Sequence, residues 1–188
     1  VRFANTAAGL EVEVFGVEPI PLEKIHHRIL LERSFASGKQ RTLDELLVEV
    51  AARRQSGQSI VFTNGCFDVL HSGHVHLLDE AKKQGDFLVV GTNTDDKIAQ
   101  FKGPTRPVNI VEDRVRVLSG LASVDAVVVF SDDTPTELIG ALRPDVLVKG
   151  DEYAMEQIPG ASLVMSYGGR VVRIPMKGGQ SSTGTLRR

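Results

Sequence analysis

The chain has 188 residues, a formal net charge of −2, 41% hydrophobic and 24% charged residues, and one cysteine. That is room for an ordinary soluble domain plus an extension, and it excludes an internal disulfide and any global attraction for nucleic acid. The longest apolar runs, such as residues 126–130, are far too short to span a bilayer. No signal peptide is visible, the lone cysteine fits a reducing, cytoplasmic compartment, and a first residue of Val1 suggests a processed or cut piece.

Residues 4–10 are rich in small side chains and read as a close-packed helix. Pro19 and Pro21 break the next stretch, and residues 22–32 read as another helix. Residues 34–40 have linker composition. Thr42 and Glu45 then form a capping box that opens a helix with apolar positions Leu43, Leu46, Leu47, Val50 and Ala51. From Ser59 onward, strand and helix signals alternate. Strands are expected at 60–63, 87–91, 126–130, 146–149 and 171–174, with helices near 73–84, 95–100, 110–120, 135–141 and 160–167. Continuous apolar strands between helices predict an α/β, Rossmann-like three-layer sandwich with a parallel sheet of about five strands.

The richest segment is residues 60–74, IVFTNGCFDVLHSGH. An apolar strand ends in the turn formers Thr63, Asn64 and Gly65, and Asp68, His71, Gly73 and His74 follow before a helical pattern begins. Ligands of open α/β sheets bind at the carboxyl ends of strands, and a helix N-terminus offers N–H groups and positive potential to phosphate. A single histidine near a turn is usually just solvated or satisfied. Two, three apart with a glycine between them, can share one side of a helix start.

Further cations punctuate the chain. Lys102 and Arg106 lie in a loop constrained by Gly103, Pro104 and Pro107, and suit phosphate as a point charge and a bidentate clamp, or form a solvated loop. Arg114 can reach a phosphate or pair with an acid. Asn93 and Asp95 can bind substrate hydroxyls or cap the next helix. Ser181, Ser182 and Thr183 precede a short helix and form either a phosphate cradle or a plain cap. Cys66 lacks a base at suitable spacing and reads as a small buried hydrophobe; His26, His27 and His76 read as ordinary, and no His/Cys spacing suits structural zinc.

Thr63 to Leu78 closely resembles the TNGCFDxLHxGHxxxL signature of the cytidylyltransferase-like branch of the nucleotidyltransferase superfamily. The resemblance implies that His71 and His74 contact the triphosphate of an NTP, and that Lys102 neutralises the reacting phosphates. It makes Thr63, Asn64, Gly65, Phe67, Asp68, Gly73, Arg114, Lys149, Gly150, Ser181, Ser182 and Thr183 candidates for nucleotide or phosphate binding. Asn93, Asp95 and Arg106 become substrate-binding candidates. Where the family usually reads VKGGDY, this chain has Asp151 and Glu152 in place of Gly–Asp. The helix from Val108, the DDTPTELI segment (132–139) and the PDVLVKG strand (144–150) resemble bacterial heptose 1-phosphate adenylyltransferases. Residues 4–17 resemble the closing helix and turn of ribokinase-type kinases, which implies that 1–40 is a kinase remnant with linker and 41–188 the transferase domain. The implied reaction moves AMP from ATP, with Mg2+, to a sugar 1-phosphate, in an enzyme that is a homo-oligomer (a dimer), with no nucleic-acid or membrane partner and no protein-held metal. The alternatives are a cytidylyltransferase for an alcohol phosphate such as glycerol 3-phosphate, and a nucleotide-binding module without catalysis.

Overall fold

The computed structural model describes residues 2–12, 21, 22, 25 and 38–176. Helix α1 (Arg2–Val12) covers the small-residue segment. Most of the expected helix over 22–32, the turn following α1, and Ser181–Thr183 lie outside the described residues. From residue 40 the order is β1 (Gln40–Arg41), α2 (Leu43–Gln55), β2 (Ile60–Gly65), α3 (Ser72–Lys82), β3 (Phe87–Asn93), α4 (Asp95–Lys102) and α5 (Val111–Ser119). Then follow β4 (Ala126–Phe130), α6 (Thr136–Leu142), β5 (Val146–Gly150), a 3-10 turn (Met155–Gln157), α7 (Ala161–Ser166) and β6 (Arg170–Ile174). Among the described residues no helix is long and apolar enough to cross a membrane.

All pairings are parallel, in the order β1-β4-β3-β2-β5-β6. Both faces are covered, as the unbroken apolar strands require. Ile60 and Phe62 of β2 pack with Leu46, Val50, Ile139, Leu142 and Val164 of α2, α6 and α7 on one side. Val61 points the other way, to Leu77 and Leu78 of α3 and Val115 and Leu118 of α5. This is the period-two alternation of a strand, doubled because neither face meets water. Each of these fully buried side chains stabilises the fold by roughly 1.5–3 kcal/mol relative to exposure.

The sheet has one strand more than expected. Gln40 and Arg41, at the edge of the presumed linker, pair with Val127 and Val128. Two polar residues carry no strand pattern; what fixes them is tertiary. Arg41 is buried and its Nε donates to Glu49 Oε2 at 2.9 Å, while Arg53 holds the other oxygen of the same carboxylate at 2.7 Å. The capping box opens α2 as expected: Glu45 N donates to Thr42 Oγ1 (3.3 Å) and Thr42 N to Glu45 Oε2 (3.0 Å).

Candidate active site

The chain order reverses at β2: β3 and β4 lie on one side, β5 and β6 on the other. Such a switch point opens a crevice outside the carboxyl ends of the central strands. A cleft of about 460 Å³ occupies this place, lined by Asn64, Gly65, Phe67, His71, His74 and Asn93 on the β2–β3 side and by Lys149, Gly150, Glu152 and Tyr153 beyond β5. Lys149 Nζ donates to the carbonyl of Asn64 at 2.8 Å and so ties the ends of β5 and β2 together. Burial pushes the Lys149 ammonium down to about 8, against the opposing pull of Glu152 and Cys66. Phe67 follows with φ +46, an unusual value for a residue with a side chain. Its ring fills the space a Cβ on Gly65 would need, 3.2 Å away.

The N-cap of α3 is His71, in extended conformation and without a side-chain cap, and no acid sits in the first turn. The positive end of the helix is therefore uncompensated and faces the cleft. The imidazoles of His71 and His74 stack with centroids 3.8 Å apart and planes 26° from parallel, and Phe67 meets His74 edge-on at 5.3 Å. A Cβ on Gly73 would stand 3.1 Å from the His71 ring, so glycine is what lets this ring fold back. Both Nδ1 atoms are buried and unpartnered. Burial lowers the affinity of His71 for a proton, and burial, then the charges of His71 and Lys102, push His74 down to about 4. Both rings are thus neutral at pH 7, with lone pairs or N–H groups waiting for a partner.

Several expected ligands are engaged elsewhere. Asp68 is buried and accepts from Val108 N (2.7 Å), Asn109 N (3.1 Å) and the Arg106 guanidinium. Burial alone would raise its carboxyl; the bonds from Asn109, Arg106 and Val108 outweigh that and hold it below the usual range. Asp68 and Arg106 therefore anchor the 106–109 loop to the motif instead of reaching into the cleft. Arg114 is 2% exposed, and its five N–H donors meet five acceptors: Asn109 O, Cys66 O, Thr92 Oγ1, Asn93 O and Asp95 Oδ1, at 2.6–3.1 Å. It is a hub under the cleft, with no donor left for phosphate. Asp95 spends its second oxygen on Val111 N at 3.2 Å. Thr63 is fully buried within β2 and does not line the cleft.

Lys102, the last residue of α4, reaches the cleft wall and makes no hydrogen bond or ion pair among the described residues. Asn93 lines the same side, and the Cys66 thiol lies 3.9 Å from its Oδ1. Sequence reasoning missed Asp133, Thr134, Pro135, Ile158, Pro159 and Met176, which complete the wall. Asp133 to Pro135 lie in the loop that leaves β4, so their place beyond a strand's carboxyl end was the available signal. Among the described residues no group of three or more His, Cys, Asp or Glu could hold a metal ion.

A family model described as cytidylyltransferase-like matches residues 62–174. Bifunctional protein HldE of Methylobacillus flagellatus is 45% identical over 189 residues, which is 100% of this chain and 39% of that protein. HldE of Mesorhizobium japonicum is 46% identical over 185 residues, 97% of this chain and 37% of that one. The chain thus spans less than half the length of these curated relatives. Among solved structures, a lipopolysaccharide core biosynthesis protein from Thermoplasma volcanium superposes with a TM-score of 0.56 at 27% identity, covering 65% of this chain and all of that one. Pantoate–β-alanine ligase from Francisella tularensis shares the fold, with a TM-score of 0.55 at 14% identity over 79% of this chain and 70% of its own.

Proposed function

From the premise that the chain belongs to the cytidylyltransferase-like family of nucleotidyltransferases, we propose that it transfers AMP from ATP to D-glycero-β-D-manno-heptose 1-phosphate, giving ADP-heptose and pyrophosphate. The observation that carries the reaction type is the stacked, unpartnered pair His71 and His74 at the uncompensated start of α3. Identity of 43–46% to several HldE proteins across nearly the whole chain supports the sugar. Residues 41–188 form the transferase domain in this reading, and 1–40 the end of a kinase domain and its linker.

An oxygen of the sugar phosphate attacks the α-phosphorus of ATP. The new P–O bond forms as the bond to the β-phosphate bridging oxygen breaks, and the electron pair leaves with pyrophosphate. No group on the protein needs to become covalently bound. His71 and His74 bind the phosphates through their free ring nitrogens, and Lys102 adds a point charge; these stabilise the charge that grows in the transition state. Two imidazolium rings 3.8 Å apart would repel, so a neutral resting pair takes up a proton only as the phosphates arrive. Asn64, Gly65, Phe67, Gly73, Lys149 and Gly150 shape the nucleotide side, and Asn93 the acceptor side. Thr63, Asp68, Arg106, Arg114 and Asp95 hold these residues in place, and Ser181, Ser182 and Thr183 grip the outer phosphates. Magnesium would enter with ATP and be held mainly by phosphates and water, because among the described residues no group of three or more His, Cys, Asp or Glu could hold a metal ion. The active unit is a homodimer in the same reading, and the enzyme works in the cytoplasm.

Pyrophosphate release, measured with ATP or CTP and with heptose 1-phosphate or glycerol 3-phosphate, tests the reaction. Turnover is expected with ATP and heptose 1-phosphate, and with His74→Ala it falls by roughly 10²–10³ in kcat. Turnover with CTP alone would refute the adenylyl assignment, and unchanged turnover in His74→Ala would refute the role of the pair.

A further inference from the structure

Strand β6 stops at Ile174 because Pro175 follows, with no N–H to continue the ladder. The two residues beyond it are nonetheless held, by groups from two other elements. Asp151 N, just past β5, donates to Ile174 O at 2.9 Å. Asp151 Oδ1 then accepts from Met176 N at 3.1 Å, so a carboxylate takes the part that a strand carbonyl plays in a regular ladder. From the other side, His76 of α3 donates from Nε2 to the carbonyl of Pro175 at 3.2 Å. Neither Asp151 nor His76 lines the cleft. Asp151 stands where the usual family pattern has glycine, so this tether belongs to the present chain.

What the two tethers deliver is Met176, which lines the cleft and packs against the core on the α3 side, with Leu77, Leu78 and Ile174. Its methyl group and the His71 ring converge on one point. A Cβ on Gly73 would stand 3.6 Å from Met176 Cε and 3.1 Å from both Nδ1 and Cε1 of His71. His74 covers a face of the same ring, stacked at 3.8 Å. The Nδ1 edge, buried and unpartnered, is the edge that lies on the Gly73 side. Such a nitrogen stays dry only beside an apolar group that keeps water off and offers no strong bond of its own. An unbranched thioether, soft enough to fill an irregular gap, meets that need. We propose that Met176 is a positioning residue for His71: tethered by Asp151 and His76, it holds the ring folded back against Gly73 and shields Nδ1 from water. The catalytic consequence rests on the nucleotide-transfer reading above. His74 and the charged groups of the cleft wall, Lys102, Asp133, Lys149 and Glu152, all stay in place when Met176 is replaced, so the titration of His71 then reports its hydration.

Two measurements test this on wild type, Met176→Ala, Met176→Leu, Asp151→Ala and Asp151→Asn. One is the titration of the His71 ring, followed by NMR on the substrate-free protein; the other is turnover of ATP with heptose 1-phosphate. In Met176→Ala the His71 midpoint should rise from its depressed position toward the ordinary histidine value. Its kcat should fall about 10- to 100-fold, the effect of a misplaced group, with KM for ATP nearly unchanged. Met176→Leu, apolar and close in volume, should match wild type in both. Asp151→Ala frees Met176 N without altering the cleft lining, and should move both readouts in the same direction by less. Asp151→Asn keeps the acceptor oxygen and should restore both. Wild-type titration and kcat in Met176→Ala overturn the proposal. A lowered kcat with the His71 titration unmoved overturns it too, because Met176 would then act on something other than this ring. So does an equal loss in Met176→Leu, since an apolar cover would not be the role. The titration needs no substrate: a His71 shift that depends on Met176, in a protein that never adenylylates heptose 1-phosphate, would leave the placement of His71 standing and remove the substrate assignment alone.

Discussion

Replacing Arg114 with alanine strips five donors from beneath the cleft at once. All five are charge-assisted by the guanidinium; the four to neutral oxygens are counted at the low value of about 1 kcal/mol each net, and the fifth, the ion pair with Asp95, at about 1.5–3. Asp95 is 35% exposed, so its bond counts at the lower end of that range after screening by water. Relaxation and entry of water into the vacated space recover part of the sum, which leaves a loss of about 4 kcal/mol, within the range for removing one member of a buried pair. For a chain of this size that lowers the melting temperature by on the order of 8–16 °C. Differential scanning calorimetry reads it directly. Arg114→Lys keeps the charge but has three donors at a single point and cannot span Cys66, Asn93 and Asn109; it should lose about half as much. A melting temperature within about 2 °C of wild type in Arg114→Ala, together with a raised KM for ATP, would show that Arg114 serves phosphate and that the hub argument is wrong.

Two further perturbations act on the histidine pair. Gly73→Ala puts a methyl 3.1 Å from the His71 ring, tighter than ordinary contact; His71 must swing away, so kcat should fall at least tenfold while the melting temperature moves by less than about 3 °C, because the ring that yields is itself only half-buried. Acid stability follows from His74. Its folded value of about 4 lies below the ordinary 6.5, so the unfolded chain binds the proton more readily; stability is full above pH 6.5 and is lost as pH falls toward 4. After allowance for partial exposure the loss is on the order of 2–3 kcal/mol. Urea titrations at pH 7 and pH 4.5 should show it in wild type and not in His74→Asn; equal pH dependence in both would refute the buried neutral imidazole.

The sequence made β2 to β5 legible because each opens on an unbroken apolar run, as a strand covered on both faces requires, and β6 by the shorter Val171–Val172 pair at the sheet edge. It made the motif legible because turn formers follow such a run. It could not reveal β1, since nothing in Gln40–Arg41 is apolar and the strand is fixed by Glu49 and by pairing with residues nearly ninety positions away. It could not decide what Arg114 does either. A guanidinium that grips phosphate and one that grips carbonyls look identical in a sequence, and the deciding acceptors, Cys66, Asn93 and Asn109, come from two loops and the end of β3. The same is true of Asp68. It stands inside the motif, yet its carboxylate belongs to Val108 and Asn109.

In the proposed reading, these two buried groups are why the cleft can work with neutral histidines. Asp68 and Arg114 meet at the 106–114 segment: Asp68 accepts from Asn109 N, and Arg114 donates to Asn109 O. Through Cys66 O and Asn93 O, Arg114 then fixes the ends of β2 and β3, the strands that deliver the motif and Asn93. The charges that lie permanently in the interior are thus spent on rigidity, and each is fully bonded. The two histidines are the opposite kind: uncharged rings with buried, unpartnered Nδ1 atoms at an uncompensated helix end, with Lys102 as a charge beside them. Preorganised but undischarged donors lose nothing to a prior partner when the phosphates arrive, and an electrostatic site acts most strongly when it need not reorganise. A permanently ionised pair at 3.8 Å would instead have needed counter-ions, which the substrate would have had to displace.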